Sequence, residues 1–353
     1  MDATAGHVWR STGNLAVLAS GTCLPHKWAN PEFLAMVEER CSAPLRRRAE
    51  RILSLLRIQS RHLSRPLGAM QATALPGCSN SELAAAALHR ALNEAGLEPN
   101  DLGYILGHTT TPDTLLPPNI AHVAEHLDYR GPFAEFRQAC VGFGSALAFA
   151  YGLLQAPAAR PIAIIGSETG SLGFDPSRAM EDNGQLVNML QMGDGAAALI
   201  LGPADANGAK GMIFDAFTGQ IGTKAKPGFH LGLTPSGQME FEHDFMRVRE
   251  RGLLLFDAGI HAARTTALPP EMADLIVPHQ ANGVMDQVLA QRYGWPQSRI
   301  FVNADRLGNT GSAAILLAFD EARRRLSPGA TISVLGAEAT KYMFAGFGFR
   351  ASV

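Results

Sequence analysis

The sequence predicts an α/β protein built from two related halves, and two observations carry that prediction. Short apolar runs that end in glycine alternate with helical stretches, which is typical of strand–helix–strand units in a sheet buried on both faces. The same order of elements then occurs twice, 171 residues apart when measured from His108 to His279. That period is too long for a solenoid and indicates a duplicated unit.

Each copy combines the same three elements in the same order. In the first copy a strand ends at His108, a strand-to-helix junction follows at Cys140, and a further strand comes next. In the second copy a strand ends at His279, a helix opens at Asn309, and a further strand again follows. The spacing is 32 residues from His108 to Cys140 and 30 residues from His279 to Asn309. The agreement of order and spacing predicts two pseudo-symmetric halves.

The remaining elements fit this layout. Residues 15–21 and 196–201 are predicted strands. Residues 81–95 are predicted to form an alanine-rich helix, with Ser81 as its N-cap and Gly96 beyond its end. Together these segments favour an α/β layout on both sides of the duplicated core.

A polar break after residue 203 marks the expected boundary between the halves. It gives an N-terminal half over 1–203, which contains the cysteine, and a C-terminal half over 204–353, which contains the histidine and asparagine. The segment 212–251 shows no regular pattern, so the sequence assigns no elements there.

Composition limits the classes of function. The chain has 353 residues, 46% of them hydrophobic and 18% charged, with a formal net charge of −2, which argues against a nucleic-acid-binding protein. No run of 18 apolar residues exists, so no membrane span is expected. The four cysteines are scattered and no secretory signal is visible, so we expect a cytoplasmic protein without disulfides.

Cys140 is the candidate nucleophile. It lies between the end of a predicted strand and the start of a helix made of small and apolar residues. A helix N-terminus offers unpaired N–H groups and the positive end of the helix dipole, so this placement predicts a thiol that ionises readily. The alternative is that Cys140 is a small buried hydrophobic residue.

Four stretches carry a resemblance to a known family. They are Ala139-Cys140-Val141-Gly142-Phe143, Met192-Gly193-Asp194-Gly195-Ala196-Ala197-Ala198, Val277-Pro278-His279-Gln280-Ala281-Asn282 and Leu307-Gly308-Asn309-Thr310-Gly311-Ser312-Ala313. With these motifs the chain resembles the thiolase superfamily, and within it the β-ketoacyl-ACP synthase III branch. The resemblance implies a thiolase-like fold with five layers, α/β/α/β/α, and a homodimer formed by edge strands of the N-terminal halves.

The resemblance also implies a Cys-His-Asn active site and a ping-pong reaction. Cys140 would take up an acyl group, and its backbone N–H, with a glycine-rich loop at Gly346 and Phe347, would hold the oxyanion. His279 and Asn309 would donate hydrogen bonds to the enolate formed when a malonyl- or β-ketoacyl-type thioester loses carbon dioxide. The product would serve fatty-acid or specialised polyketide biosynthesis. No metal or redox cofactor is expected, since acyl-CoA or acyl-ACP is the substrate.

The chain departs from the family at the expected coenzyme A clamp. The positions of a frequent Trp and Arg hold Arg51 and Leu55, which favours an acyl-carrier-protein donor. Arg178, in a stretch that resembles a coenzyme A contact, and Asn282, in the histidine motif, are candidate substrate contacts. Met189 is a third candidate, in an acyl pocket with neighbouring methionines, although ordinary core filling is the alternative.

A basic stretch is the candidate docking surface for an acidic carrier protein. It contains Arg46, Arg47, Arg48 and Arg51, opposed nearby only by Glu50. Opposite charge would steer a carrier to this surface. A solvated helix face is the alternative interpretation.

Other functions stay open on the sequence alone. The same fold could pass the acyl group from Cys140 to an oxygen, a nitrogen or another acceptor without elongation. It could also support a catalytic partner as an inactive subunit, or hydrolyse the acyl-cysteine. The pair of His279 and Asn309 favours condensation, because simple transfer does not need two donors for an enolate.

Overall fold

The structure, a computed structural model, describes residues 6–67, 74–156, 158–222, 224–233 and 239–353. The strands have these bounds: β1 Trp9–Arg10, β2 Leu15–Cys23, β3 His26–Ala29, β4 Ser60–Leu63, β5 Tyr104–His108, β6 Phe133–Phe136, β7 Ile162–Glu168, β8 Gly195–Pro203, β9 Gly211–Gln220, β10 Phe229–Leu233, β11 Met239–His243, β12 Leu275–Pro278, β13 Thr331–Glu338 and β14 Met343–Ala351. The helices have these bounds: α1 Asn30–Arg40, α2 Ala43–Leu56, α3 Asn80–Ala95, α4 Asn119–His126, α5 Gly142–Leu153, α6 Pro176–Glu181, α7 Asn183–Gln191, α8 Phe245–Ala263, α9 Met285–Tyr293, α10 Ala304–Leu307 and α11 Ala314–Arg323.

The N-terminal half contributes five neighbouring strands in the order β6-β5-β7-β8-β2. Strands β5, β6 and β7 are parallel, whereas β8 runs antiparallel to both β7 and β2. When only these five strands are numbered along the chain, from β2 as 1 to β8 as 5, their order in the sheet is 3-2-4-5-1.

The C-terminal half repeats this order. Its strands run β12-β13-β14-β9, with β12 parallel to β13 and β14 antiparallel to both β13 and β9. A parallel bridge from Ile276 to Ile300 supplies the outer position that β6 fills in the first half. The sheets of the two halves are hydrogen-bonded to each other where β2 pairs with the start of β9, so that together with β1 they form one ten-stranded sheet. The two pseudo-symmetric halves predicted from the repeat are therefore confirmed in the strand order. The division at residue 203 itself stays a prediction.

The helices form layers around the two sheets. Helices α5 and α11 contact strands of both sheets and so lie between them. Helix α3 covers the outer face of the N-terminal sheet, and α8 covers the outer face of the C-terminal sheet. Separate apolar clusters fill the central layer and each outer layer, so the fold has the expected α/β/α/β/α arrangement.

A cap lies beside these layers, and we use that name for α1, α2, α6, α7 and the β3–β4 hairpin. Its members share a fourth apolar cluster. Arg61 is fully buried there, where it donates to the carbonyl oxygen of Leu190 at 2.7 Å and lies over the ring of Phe33. Burial lowers the pKa of Arg61 to about 9.

Local signals explain where helix α3 begins and ends. The side chain of Ser79 accepts from the N–H of Glu82, and the Glu82 carboxylate accepts from the N–H of Ser79 at 2.9 Å. The predicted N-cap, Ser81, was therefore wrong by two residues, because the reciprocal bonds form at Ser79. Gly96 ends the helix at a positive φ of 66°, as predicted.

The segment left unassigned in the sequence contains β9, the β10–β11 hairpin and the start of α8. Strand β9 has Asp215 in the left-handed region, at φ 52°, and its pairing with β14 shifts register beside Gly346. Such an irregularity breaks the alternation by which a strand is detected. No helix within the described ranges combines the length and apolar character needed to cross a bilayer.

Candidate active site

Cys140 lies just outside the helix that follows it. Helix α5 begins at Gly142 with Val141 as its N-cap, so Cys140 precedes the cap. The N–H of Val141 has no partner within the helix, and it donates to Oε2 of Glu338 at 3.1 Å. The helix start therefore stabilises a Cys140 thiolate less than the sequence predicts.

The expectation of a readily ionised thiol is wrong for the protein without substrate. Burial raises the pKa of the Cys140 thiol well above its usual value, and the negative charges of Glu338 and then Glu168 raise it further. Burial is the largest cause, and the two carboxylates add to it. Cys140 is a neutral thiol at neutral pH.

His279 follows β12 directly. Its N–H donates to the carbonyl oxygen of Leu335 at 2.8 Å, which extends the pairing of β12 with β13 by one residue. The residue is 8% exposed, and among the described residues its Nδ1 has no hydrogen-bond partner. Burial lowers the pKa of His279 to about 4, so the imidazole is neutral at pH 7.

Asn309 is held by its own backbone. Its N–H donates to the carbonyl oxygen of Gln191 at 2.8 Å, and its carbonyl oxygen accepts from the Gly193 N–H at 3.0 Å. The side-chain oxygen accepts from the Gly311 N–H at 3.0 Å. Because the oxygen is engaged, the carboxamide presents its NH₂ group as the remaining donor.

Two carboxylates join the halves crosswise at this site. Glu338, at the end of β13, accepts from Val141 beside the cysteine. Glu168, at the end of β7, accepts from the N–H of Ser312 at 3.0 Å and from its hydroxyl at 2.7 Å. Each glutamate therefore binds the helix start of the other half. These bonds tie the residue after Cys140 to β13 and the segment after Asn309 to β7.

His108, the counterpart of His279, is packed too tightly to receive a ligand. A Cβ added at Gly142 would lie 2.4 Å from its Nδ1, and one added at Gly166 would lie 2.9 Å from its Nε2. Burial lowers the pKa of His108 to about 4. The first half thus uses its histidine as a packing residue.

Gly346 and Phe347 do not lie in a loop. Both are inside β14, where Gly346 pairs with Leu335 and with Phe217, and the Phe347 ring packs in the central apolar layer. The expected glycine-rich loop at these residues is therefore wrong. The chain reverses earlier, in a turn over 339–342 whose Thr340 hydroxyl donates to Glu338. Through Glu338 that turn is linked to the amide of Val141, the residue after Cys140.

The three further substrate candidates lie in different surroundings. Asn282 follows the histidine, and its side-chain oxygen accepts from the Val284 N–H at 3.2 Å. Arg178 is half-buried in the last turn of α6. Met189 is 1% exposed within the apolar cluster of the cap, which is the core-filling alternative. The sequence placed all three near substrate, and their roles stay predictions.

The basic residues lie on α2. Arg47, Arg48 and Arg51 are exposed, and Arg46 is half-buried and paired with Glu38 at 3.2 Å. Among the described residues, no carboxylate lies within ion-pair distance of the three exposed arginines. The C-terminal end of α2 contacts the segment after His279, since the Gly283 N–H donates to the carbonyl oxygen of Leu56 at 2.9 Å.

Sequence reasoning missed Glu168 and Glu338. A signal was present, because each glutamate ends the last strand of its duplicated unit, 170 residues apart. Such a repeat is visible in the sequence. The pairing of each glutamate with the opposite half is not, because it depends on how the two halves pack.

Comparison with known proteins identifies the family. Residues 134–219 match the family described as 3-oxoacyl-[acyl-carrier-protein] synthase III, and residues 264–345 match its C-terminal part. A β-ketoacyl-[acyl-carrier-protein] synthase III from Erythrobacter litoralis is 31% identical over 332 residues, which cover 89% of this chain and 92% of that protein. The chain belongs to the β-ketoacyl-ACP synthase III family. It is therefore a condensing transferase of the thiolase superfamily.

Two solved structures agree with the fold. A tetronic acid condensing enzyme superposes with a TM-score of 0.82 at 22% identity, covering 95% of this chain and 99% of that one. A priming β-ketosynthase from a polyketide biosynthetic pathway superposes with a TM-score of 0.77 at 25% identity, covering 97% of each chain. The predicted thiolase-like ketosynthase fold is confirmed. These similar proteins do not favour the alternative function, transfer of the acyl group without elongation.

Proposed function

We propose that this synthase loads an acyl group on Cys140 and condenses it with a malonyl- or β-ketoacyl-type thioester that loses carbon dioxide. The observation that carries the proposal is the crosswise pairing of Glu338 with the Val141 amide and of Glu168 with Ser312. The pairing supports a site in which the Cys140 thiol of one half works with two neutral hydrogen-bond donors of the other half, His279 and Asn309. An acceptor for an acyl group and donors for an enolate are the two parts that the reaction needs.

In the first step the Cys140 sulfur attacks the carbonyl carbon of an acyl thioester. The new carbon–sulfur bond forms as the old one breaks, and the donor leaves as a thiol. The tetrahedral intermediate needs N–H donors for its oxygen, and the backbone N–H of Cys140 is the donor that we assign. The sequence predicts a second N–H donor at Gly346, but that residue is in a strand. We therefore assign the second donor to the turn over 339–342.

In the second step the extender thioester loses carbon dioxide, and negative charge develops on its carbonyl oxygen. A neutral imidazole at His279 and the NH₂ group of Asn309 can each donate to that oxygen. Neither group carries a positive charge at pH 7, so neither binds a resting carboxylate tightly. Their stabilisation is therefore larger for the enolate than for the ground state. The enolate carbon then attacks the acyl group on Cys140.

Intact-mass spectrometry with a panel of acyl-CoA and acyl-ACP donors tests the first step. We expect one acyl mass on the wild-type protein and none on Cys140→Ser. Cys41→Ser is the matched control, since Cys41 is also partly buried and has a raised thiol pKa. Loading that survives in Cys140→Ser and disappears in Cys41→Ser contradicts the assignment.

One relative named above is a β-ketoacyl-[acyl-carrier-protein] synthase III, and we propose an acyl carrier protein as partner here. The dock that we assign is the exposed face of α2, formed by Arg47, Arg48 and Arg51 with Leu55 beside them, 76% exposed. Acidic carriers are attracted by unpaired cations, and an exposed leucine offers an apolar contact at the centre. The adjoining loop at Gly283 leads from this face to His279.

Steady-state kinetics with an acyl-ACP donor tests the dock. We expect Arg47→Glu with Arg51→Glu to raise KM at low salt by about tenfold or more while kcat changes little. Arg130→Glu with Lys210→Glu is the control, because both residues are exposed and lie outside the cap. An equal KM for the two double variants removes the dock from α2.

We further propose a homodimer through β6, the last strand of the sheet in the N-terminal half. An unpaired edge strand invites another strand. Two aromatic side chains beside that edge are exposed: Phe133 by 38% and Phe149 by 54%. Sedimentation of the wild type and of Phe149→Glu tests this, and we expect the variant alone to be monomeric. A wild type that sediments as a monomer at micromolar concentration contradicts it.

A further inference from the structure

The loops that carry the two proposed donors both contact one short segment of the cap. This segment runs from the last residue of α2 to the first residue of β4, residues 56–60, and we call it the connector. The carbonyl oxygen of Leu56 accepts from the N–H of Gly283, four residues after His279, at 2.9 Å. A Cβ added at Gly283 would lie 2.2 Å from the carbonyl oxygen of Arg57. The connector therefore packs directly against the backbone of the loop that carries His279.

The other end of the connector holds the loop that carries Asn309. The Gln59 N–H donates to the carbonyl oxygen of Asp305 at 2.7 Å. The Ser60 hydroxyl donates to the next carbonyl oxygen, that of Arg306, at 2.8 Å. Ser60 is 4% exposed, so this bond is largely shielded from water. The connector thus fixes two consecutive carbonyl groups, the second of them three residues before Asn309.

The connector is itself held firmly in the cap. The side chain of Asn30 donates to the carbonyl oxygen of Ile58 at 2.6 Å, and the backbone N–H of Asn30 donates to that of Gln59 at 3.0 Å. Buried Arg61 in turn donates to the side-chain oxygen of Asn30 at 2.8 Å. Ile58 is buried in the apolar cluster of the cap. Because the connector is bonded on both sides, it fixes the two loops relative to the cap.

Cys140 lies outside these contacts. Within the described part of the chain, none of the hydrogen bonds of the connector reaches residues 139–142, where the Val141 N–H is bound to Glu338. A change in the connector can therefore displace the two donors while the proposed nucleophile stays in place.

We propose that the connector positions His279 and Asn309 for the second step of the reaction. Ser60 acts on the asparagine through its hydrogen bond, and the contact at Gly283 acts on the histidine. The inference rests on the proposed function. Donors to an enolate must be placed accurately, because an error of about 1 Å can slow a step by on the order of 10²-fold. Acyl loading on Cys140 uses neither donor, so the connector should matter for the second step alone.

Ser60→Ala tests the asparagine side, with the acyl mass on Cys140 and carbon dioxide release from malonyl-CoA or malonyl-ACP as the measurements. We expect unchanged acyl loading and carbon dioxide release slowed about three- to tenfold, the contribution of one neutral hydrogen bond. Ser60→Thr keeps the hydroxyl and should restore the rate. Tyr151→Phe is the matched control, since the buried Tyr151 hydroxyl also donates to a backbone carbonyl, that of Ile213 at 3.3 Å. Both of its rates should equal those of the wild type.

A double-mutant cycle separates positioning from a general loss of stability. If Ser60 acts through Asn309, Ser60→Ala should have no further effect on carbon dioxide release in the Asn309→Ala background. It should keep its full effect in the His279→Ala background. An undiminished effect in Asn309→Ala overturns the inference. A Ser60→Ala protein with a lower Tm and a normal rate of carbon dioxide release overturns it as well.

Gly283→Ala tests the histidine side. The added Cβ must push away the Arg57 carbonyl or the loop itself, so we expect carbon dioxide release to slow about tenfold or more with acyl loading unchanged. This effect should vanish in the His279→Ala background. Gly252→Ala is the control, because a Cβ there has no heavy atom within 4 Å. A wild-type rate in Gly283→Ala contradicts the proposal, and where that variant fails to fold the Ser60 cycle decides alone.

The outcomes also separate this inference from the proposed function. If His279→Ala slows carbon dioxide release but Ser60→Ala and Gly283→Ala do not, the condensation proposal stands and the connector loses its role. If the wild type releases no carbon dioxide from any malonyl or β-ketoacyl thioester, the proposed function is wrong and the inference is removed with it.

Discussion

The two halves of this synthase use one scaffold for different chemistry. In each half, a histidine ends or follows a parallel strand, and a glutamate ends the neighbouring parallel strand of the sheet. The start of a central helix belongs to the same unit. In the N-terminal half the residue before this helix start is Cys140, which we propose as the nucleophile, and the histidine is enclosed by two glycines. In the C-terminal half Asn309, which we propose as a hydrogen-bond donor, precedes the helix start, and the histidine keeps a small exposed area. The duplication supplied the positions, and tight packing decided which histidine can meet a ligand.

The largest expected effect separates the two histidines. His279→Ala should still take up an acyl group on Cys140 but should release carbon dioxide from a malonyl thioester about 10²–10³-fold more slowly, because one oxyanion donor is lost. His108→Gln should keep the rate within about threefold, because that ring is enclosed by Gly142 and Gly166. Acyl mass and carbon dioxide release are the measurements. An equal loss of the rate of carbon dioxide release in both variants would mean that the two histidines contribute equally.

Acid should destabilise both halves through the same residue type. The pKa values of His108 and His279 fall to about 4, whereas an unfolded histidine titrates near 6.5. Between those values the unfolded chain binds more protons, so stability falls as the pH falls, by up to about 3 kcal/mol for each histidine. Asp194, with a pKa raised to about 6, opposes this in part, because the native state binds its proton first.

Urea unfolding at pH 7.5 and pH 5 measures this acid effect. Replacing either histidine by glutamine should flatten the dependence by a similar amount, since burial lowers both pKa values. A variant of His279 that flattens it while the His108 variant does not would show that only the second half buries its imidazole in solution.

A pair of equivalent glycines should sharpen the comparison of packing. A Cβ at Gly166 would lie 2.4 Å from the carbonyl oxygen of Ser312, which is backbone of the other half. A Cβ at its counterpart, Gly336, would lie 2.8 Å from the ring of Phe143, a side chain that can move. We expect thermal unfolding to show a loss of about 3 kcal/mol for Gly166→Ala and about 1 kcal/mol for Gly336→Ala. A larger loss of stability for Gly336→Ala than for Gly166→Ala would mean that the tighter contact is at Gly336.

A further test concerns the crossed carboxylate contacts. Ser312→Ala removes one of the five donors to Glu168, a buried bond to a charged group at 2.7 Å. We expect a loss of about 1.5–3 kcal/mol at pH 7, measured by urea unfolding, with the other four donors still in place. A neutral result would mean that Glu168 needs fewer donors than it has.

Much of this could be predicted from residues alone. The strand ends at His108 and His279, the junction at Cys140 and the helix start near Asn309 were placed within a few residues, since period and turn residues are local signals. The N-cap of α3 was missed because Ser79 and Ser81 both fit, and only the reciprocal bond with Glu82 decides between them. The glycines at 346 and 348 looked like a loop because glycine weakens a strand pattern.

The order of apolar and small residues by itself determined two α/β halves and the residue types that each strand end presents. Periodicity and spacing encode those features directly. Only the tertiary structure decided which glutamate meets which helix start, which histidine is sealed, and that Cys140 is a neutral thiol. Those outcomes depend on burial and on charges more than 25 residues away in the chain, at Glu168 and Glu338, and electrostatic energy follows distance in space.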